Sequence, residues 1–147
     1  MPLFFEDFQV GAISTSRGRT VTEADIVNFA GLSGDFVELH MNEEYAKQGP
    51  FGQRIAHGLL VLSMSSGLSV RMHDMSDTII AFYGIDRLRF VKPTFINDTV
   101  HVVKKVLATE IKSDDRGIVT FETSVVKQDG QPVIVYSDKL LVKRRTA

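Results

Sequence analysis

In the stretch "GLSGDFVELH", residues 31–40, an acid and an imidazole stand five positions apart, Asp35 and His40. An imidazole titrates near neutral pH, so it can take a proton from water and return it, and a neighbouring carboxylate can share that water. Such a pair suits adding water to an activated double bond, or removing it. Spacing alone favours a plainer reading, a helix-terminal acid beside an exposed histidine, because exposed acid and histidine pairs are common.

A second stretch, "RIAHGLL", puts His57 and Gly58 at the expected start of a helix. Free backbone N–H groups and the helix dipole favour developing negative charge there, and a glycine lets a carbonyl oxygen approach the main chain. Packing alone would also explain the glycine. Further along, Ser66 could bond a substrate or fold back onto a carbonyl one turn earlier, and sequence alone favours the second. His73, next to Asp74, and His101 read as surface residues. Glu38, His40 and Glu43 are metal-ligating types without a metal-ligand spacing motif, so no metal is expected.

The elements that must hold these groups are legible as patterns. "TVTEADIVNFAGLSG" predicts a short amphipathic helix, with Thr22 as cap, Asp25 completing a near capping box, Ile26, Phe29 and Ala30 on one face, and an end near Gly31 to Gly34. A long loop follows, with one or two turns at "NEEYAK" before Gly49, Pro50 and Gly52; loops of that length inside a small domain are usually functional. From His57 to about His73 the chain is apolar on almost every side, which predicts a helix surrounded by protein.

Beyond it the period changes. "TIIAFYGIDRLRFVKPTF", "DTVHVVKKVLATEIK", "GIVTFETSVVKQ" and "QPVIVYSDKLLVKR" are rich in β-branched and aromatic residues, and "SDDRG" and "KQDGQ" are tight-turn signals. A buried helix followed by an antiparallel meander of about four strands predicts an α+β domain whose sheet curls around the helix, residues 1–147 forming one unit.

Taken in order, these pieces resemble the MaoC-like dehydratase family, which includes the (R)-specific enoyl-CoA hydratases of hot-dog fold. Phe29, Leu32-Ser33-Gly34-Asp35, His40 and Ala46 fit its hydratase signature, "RIAHGLL" the start of its central helix, "FFEDFQVG" its opening, and "LRFVKPTFINDTV" its strand, proline turn and acidic pair. The resemblance implies reversible hydration of a trans-2-enoyl-CoA, with Asp35 and His40 activating the water and handling the α-carbon proton. It also implies that His57, Gly58 and Ser66 bind the substrate, the Gly58 N–H taking the thioester carbonyl and Ser66 lying beside the acyl chain. A homodimer with the active site at its interface follows from the same likeness. Arg87, Arg89 and Lys92 are candidate contacts for the phosphates of coenzyme A, which enters as part of the substrate and not as a cofactor; solvated strand charges explain them equally well. One departure stands out: the family usually has Asn-Pro where this chain has Val37-Glu38.

Composition narrows the alternatives. The 147 residues contain no cysteine, which excludes thiolate metal sites and cysteine nucleophiles, and a net charge of −1 with dispersed Lys and Arg gives no nucleic-acid footprint. The opening residues do not read as a signal peptide and no apolar run reaches the ~20 residues of a membrane span, so a soluble cytoplasmic protein is expected. Two rival functions share most of these features. One is an acyl-CoA thioesterase, which needs the same carbonyl site and an activated water. The other is a non-catalytic acyl-CoA-binding protein with a decayed dyad.

Overall fold

The computed structural model describes residues 1–146. A 3-10 turn, Phe5–Asp7, precedes two short strands, β1 (Ile13–Thr15) and β2 (Arg19–Thr20). Three helices follow, α1 (Glu23–Ser33), α2 (Glu38–Met41) and α3 (Glu43–Lys47), and then the central helix α4 (Gly58–Val70). The four long strands close the chain: β3 (Ile79–Phe90), β4 (Thr99–Ile111), β5 (Arg116–Lys127) and β6 (Pro132–Lys143). All are antiparallel, in the order β1-β4-β5-β6-β3, with β2 also on β4. Helix α4 lies against this sheet, which is the expected α+β hot-dog arrangement.

Alternation decides which strand faces point inward. On β4, Val100, Val102, Lys104 and Val106 are buried between more exposed neighbours, and on β6 Tyr136, Asp138 and Val142 do the same, while Ile134 follows the buried Val133. Val100, Val102, Ile134 and Tyr136 of these faces meet Leu60, Val61, Met64 and Leu68 of α4 in one core, and Val21, Ile26 and Ala56 close it. A second cluster, built on Phe5, Phe8, Met75, Val119 and Phe121, fills the other end of the sheet.

Four expectations need correction. The strands are not a simple meander: residues 91–98, with Pro93, are too long for a tight turn, and β3 lies at the far edge against β6. Helix α4 is shorter than predicted and is not surrounded within one chain, since Leu59 and Val70 are 59% and 55% exposed on one stripe. The dyad loop contains the unpredicted turn α2 as well as the expected α3. Strands β1 and β2 were not anticipated, because such short polar segments carry no apolar period.

Candidate active site

Helix α1 ends where its sequence says it should. Thr22 and Asp25 form a reciprocal capping box at its start, Asp25 N–H to Thr22 Oγ1 at 3.2 Å and Thr22 N–H to Asp25 Oδ2 at 2.9 Å. Gly34 stops it at φ 78°, a left-handed conformation suited to glycine. Asp35 therefore leaves the helix in a fixed direction. Its N–H donates to Ser33 Oγ at 3.1 Å, Ser33 Oγ–H donates to the Phe29 carbonyl at 2.7 Å, and Asp35 Oδ1 accepts the Val37 N–H at 3.3 Å.

His40 sits on α2 and its tautomer is set by tertiary structure. Nδ1 lies 2.7 Å from the Ile55 carbonyl oxygen, which only accepts, so Nδ1 carries the proton and the neutral ring keeps its lone pair on Nε2. The Ile55 segment is itself pinned: its N–H donates to the Leu39 carbonyl and the Ala56 N–H to the Thr94 carbonyl. Arg54 locks the same frame by reaching Glu23 at 2.8 Å and Glu43 at 2.7 Å, on α1 and α3.

His57 joins the pair. It is 2% exposed, its ring stacks on His40 with centroids 3.9 Å apart, and its Nε2–H donates to the Asp35 main-chain oxygen at 2.9 Å. Ligating atoms of Asp35, His40 and His57 all lie within 4.8 Å of one another. His57 Nδ1 has no hydrogen-bond partner among the described residues. His57 thus packs against Asp35 and His40, a placement that its adjacency to Gly58 in sequence did not reveal. The alternative grouping of Glu38, His40 and Glu43 does not form, because Glu43 turns to Arg54.

Gly58 is the first residue of α4, and no side chain caps that helix start. Its first-turn N–H groups therefore have no intrahelical acceptor. Packing also requires the glycine: a Cβ at this position would come within 2.7 Å of the Phe90 ring. Both readings of Gly58 left open by the sequence are thus compatible. A cleft of about 500 Å³ runs past Gly58 between Phe51, Phe90 and Lys92. Of the three candidate phosphate contacts, only Lys92 borders it. Arg87, at φ 54° beside a bulge, and Arg89 lie exposed on the open edge strand β3.

A second cavity, about 390 Å³, opens between α4 and the inner face of the sheet. Ser66 borders it from an exposed position, whereas the neighbouring Ser63 and Ser65 satisfy themselves on the Leu59 and Leu62 carbonyls. His73 also reaches the cavity, with Nε2 3.0 Å from Ser14 Oγ, so it is not the plain surface residue expected. The sequence reading missed one feature of this wall altogether, the buried ion pair of Lys104 Nζ and Asp138 Oδ2 at 2.6 Å. Burial pulls the Lys104 ammonium below the usual lysine value, opposed by the Asp138 charge. Burial likewise pushes the Tyr136 phenol up to about 12, so the hydroxyl 2.9 Å from Ser65 Oγ stays neutral.

The departure at Val37-Glu38 has a clear structural outcome. Glu38 is the first residue of α2, a position that accepts proline, and Val37 before it has φ −55° and ψ 137°, the extended geometry that proline imposes on its predecessor. Glu38→Pro is therefore expected to stabilise the protein by about 0.4–1 kcal/mol by restricting the unfolded chain. A rise in the urea midpoint with unchanged slope is the measurement.

Comparison with known proteins agrees with this geometry. An antiparallel sheet wrapped around a central helix defines the class of hot-dog domains. Residues 9–129 match the MaoC like domain, and the chain belongs to that family. It is 37% identical to an (R)-specific enoyl-CoA hydratase of Rhodospirillum rubrum over 122 residues, 82% of this chain and 79% of that protein. It is 42% identical over 99 residues to Protein MaoC of Klebsiella aerogenes, a match that spans 67% of this chain but only 29% of that longer protein. The crystal structure of a MaoC-like dehydratase from Rhodospirillum rubrum superposes with a TM-score of 0.88 at 32% identity, covering 99% of both chains.

Proposed function

We propose that this protein is an enoyl-CoA hydratase, equivalently a 3-hydroxyacyl-CoA dehydratase, that uses Asp35 and His40 to activate water. The observation that carries the reading is the His40 tautomer. With Nδ1–H tied to the Ile55 carbonyl, Nε2 is left as the base, and a ring nitrogen of His40 lies within 4.8 Å of an Asp35 carboxylate oxygen. Relatives named as hydratases and dehydratases support the same reaction class.

In this reading the enoyl thioester carbonyl takes the Gly58 N–H at the uncapped helix start, which draws electron density from C3. A water held by Asp35 and His40 forms the new C3–O bond while one of its protons passes to His40 Nε2. The resulting enolate takes a proton at C2 from the same pair, so H and OH add to one face and the dyad returns to its starting state. His57 contributes positioning: it fixes the Asp35 main chain and backs the His40 ring. Lys92, at the mouth of the Gly58 cleft, is the best placed of the three cations for coenzyme A phosphates, and the Ser66 cavity takes the acyl chain.

The protein acts as a dimer in this reading. Among the described residues strand β3 pairs with β6 alone and leaves its outer edge open with Phe82, Tyr83 and Phe90 about half exposed, beside the exposed stripe of α4. No helix among the described residues is long and apolar enough to cross a membrane.

The test follows the enoyl absorbance of crotonyl-CoA and longer trans-2-enoyl-CoA thioesters while a thiol reagent monitors free coenzyme A. Loss of absorbance without thiol release is expected. Thiol release would indicate a thioesterase, and binding without either change a non-catalytic carrier.

A further inference from the structure

The cavity assigned above to the acyl chain is not a plain hydrocarbon slot. Its wall is largely apolar, with Leu62, Val106, Phe121 and Leu140, yet it holds a buried salt bridge. Lys104 is 7% and Asp138 2% exposed. Asp138 is fully engaged, because Oδ2 accepts from Lys104 and Oδ1 accepts from Thr123 Oγ1 at 2.6 Å. Lys104 is not: it has three N–H groups, one bonded to Asp138 and the ammonium otherwise over the Phe121 ring, 4.6 Å from its centre. Ser69 Oγ, on the same cavity wall, is buried with no hydrogen-bond partner among the described residues. Lys104 and Ser69, whose polar groups have hydrogen-bonding capacity left over among the described residues, thus line the same cavity. Buried polar groups of this kind favour water or a ligand that completes their hydrogen bonds.

The charge balance says what kind of group that is. Lys104 and Asp138 neutralise each other, so a carboxylate in the same space would be an uncompensated buried charge and is strongly disfavoured. An uncharged oxygen meets no such opposition. It can accept from Lys104 or exchange a hydrogen bond with Ser69 while its hydrocarbon neighbours contact the apolar wall. Ser69 lies eleven residues along α4 from Gly58, roughly 16 Å at the helical rise, so the group it meets is remote from the thioester carbonyl.

We propose that the preferred substrate of this enzyme carries an uncharged oxygen function, a hydroxyl, keto or ether group, on the acyl chain at a position remote from the thioester, where Lys104 and Ser69 recognise it. This rests on the hydratase reading for the placement of the acyl chain. No covalent step is involved.

The experiment compares trans-2-enoyl-CoA thioesters matched in length and ending in methyl, hydroxyl, keto or carboxylate groups, over a series of lengths. At the fitting length the hydroxyl- or keto-ended substrate is expected to exceed its methyl counterpart in kcat/KM by about tenfold or more, the ratio that one buried hydrogen bond supplies. The paired variant Lys104→Met with Asp138→Leu is expected to bring that ratio to one or below, and Ser69→Ala to reduce it. Equal or better turnover of the methyl-ended substrate at every length overturns the proposal, as does a preference for the carboxylate or a ratio untouched by the paired variant. Calorimetric binding of the matching saturated acyl-CoA thioesters to the wild-type protein repeats the comparison without turnover and without relying on a variant that folds. Tighter binding of the oxygenated chain with no hydration of any enoyl thioester would sink the hydratase reading and leave this inference standing.

Discussion

Glutamine in place of His40 is expected to lower kcat for hydration of a trans-2-enoyl-CoA by roughly 100- to 10,000-fold, the range that one positioned acid-base group contributes. The substitution removes the proposed base, whose tautomer is set through the Ile55 carbonyl. A glutamine amide can still donate to that carbonyl, so the fold and the turn α2 are retained. Asp35→Asn is expected to cause a loss of similar size for a different reason: the amide keeps an oxygen for the Val37 N–H but loses the charge that orients the water. Because the two groups act on one water, the double variant should be little worse than the poorer single variant. Initial rates for the four proteins, alongside circular dichroism and melting temperature, decide the matter. Near-normal rates in either folded single variant, or independent losses that multiply, would contradict a shared dyad.

The second large effect concerns stability. Asp138→Ala is expected to destabilise the protein by about 3–5 kcal/mol, because it leaves the Lys104 ammonium buried beside Phe121 with no counter-charge. It also takes away the acceptor of the buried Thr123 hydroxyl. Replacing both partners, Lys104→Met with Asp138→Leu, removes the uncompensated charge and is expected to recover most or all of that loss. Urea denaturation of the single and paired variants measures both quantities. An Asp138→Ala protein as stable as wild type would mean that water reaches Lys104 freely and that the pair is not sealed.

These two regions differ in how far the sequence disclosed them. Asp35, His40 and the helix start at Gly58 were legible because caps, glycines and the order of short motifs mark them locally. The alternation of β4 and β6 also held enough information to place Lys104 and Asp138 inward, since each falls in step with buried neighbours, Val102 and Val106 in one strand, Ile134 and Tyr136 in the other. A charged residue in an apolar period reads as an interruption until its partner on another strand is known. Pairing across strands is the information a single sequence lacks.

The same limit explains the remaining differences. The Ile55 carbonyl that sets the His40 tautomer and the Asp35 carbonyl held by His57 are main-chain acceptors brought in by tertiary structure, and no side-chain type announces them. Helix α4 looked buried all round because its composition is apolar, yet Leu59 and Val70 emerge on one side. Apolarity reports that a face is to be covered and does not say whether the cover comes from the same chain. Strand β3 left the expected meander for the far edge because strand order depends on the connecting segments.

The backbone between the two dyad residues already has the shape that proline would impose, although the residue there is glutamate. Rigidity and chemistry at this site are therefore separable properties, adjustable by different substitutions. A lineage moving to hotter surroundings could stiffen the loop by a single replacement at Glu38 without rebuilding the acid-base pair, and one moving to the cold could relax it again. The interval between Asp35 and His40 is a place where stability can be changed without replacing either proposed acid-base residue.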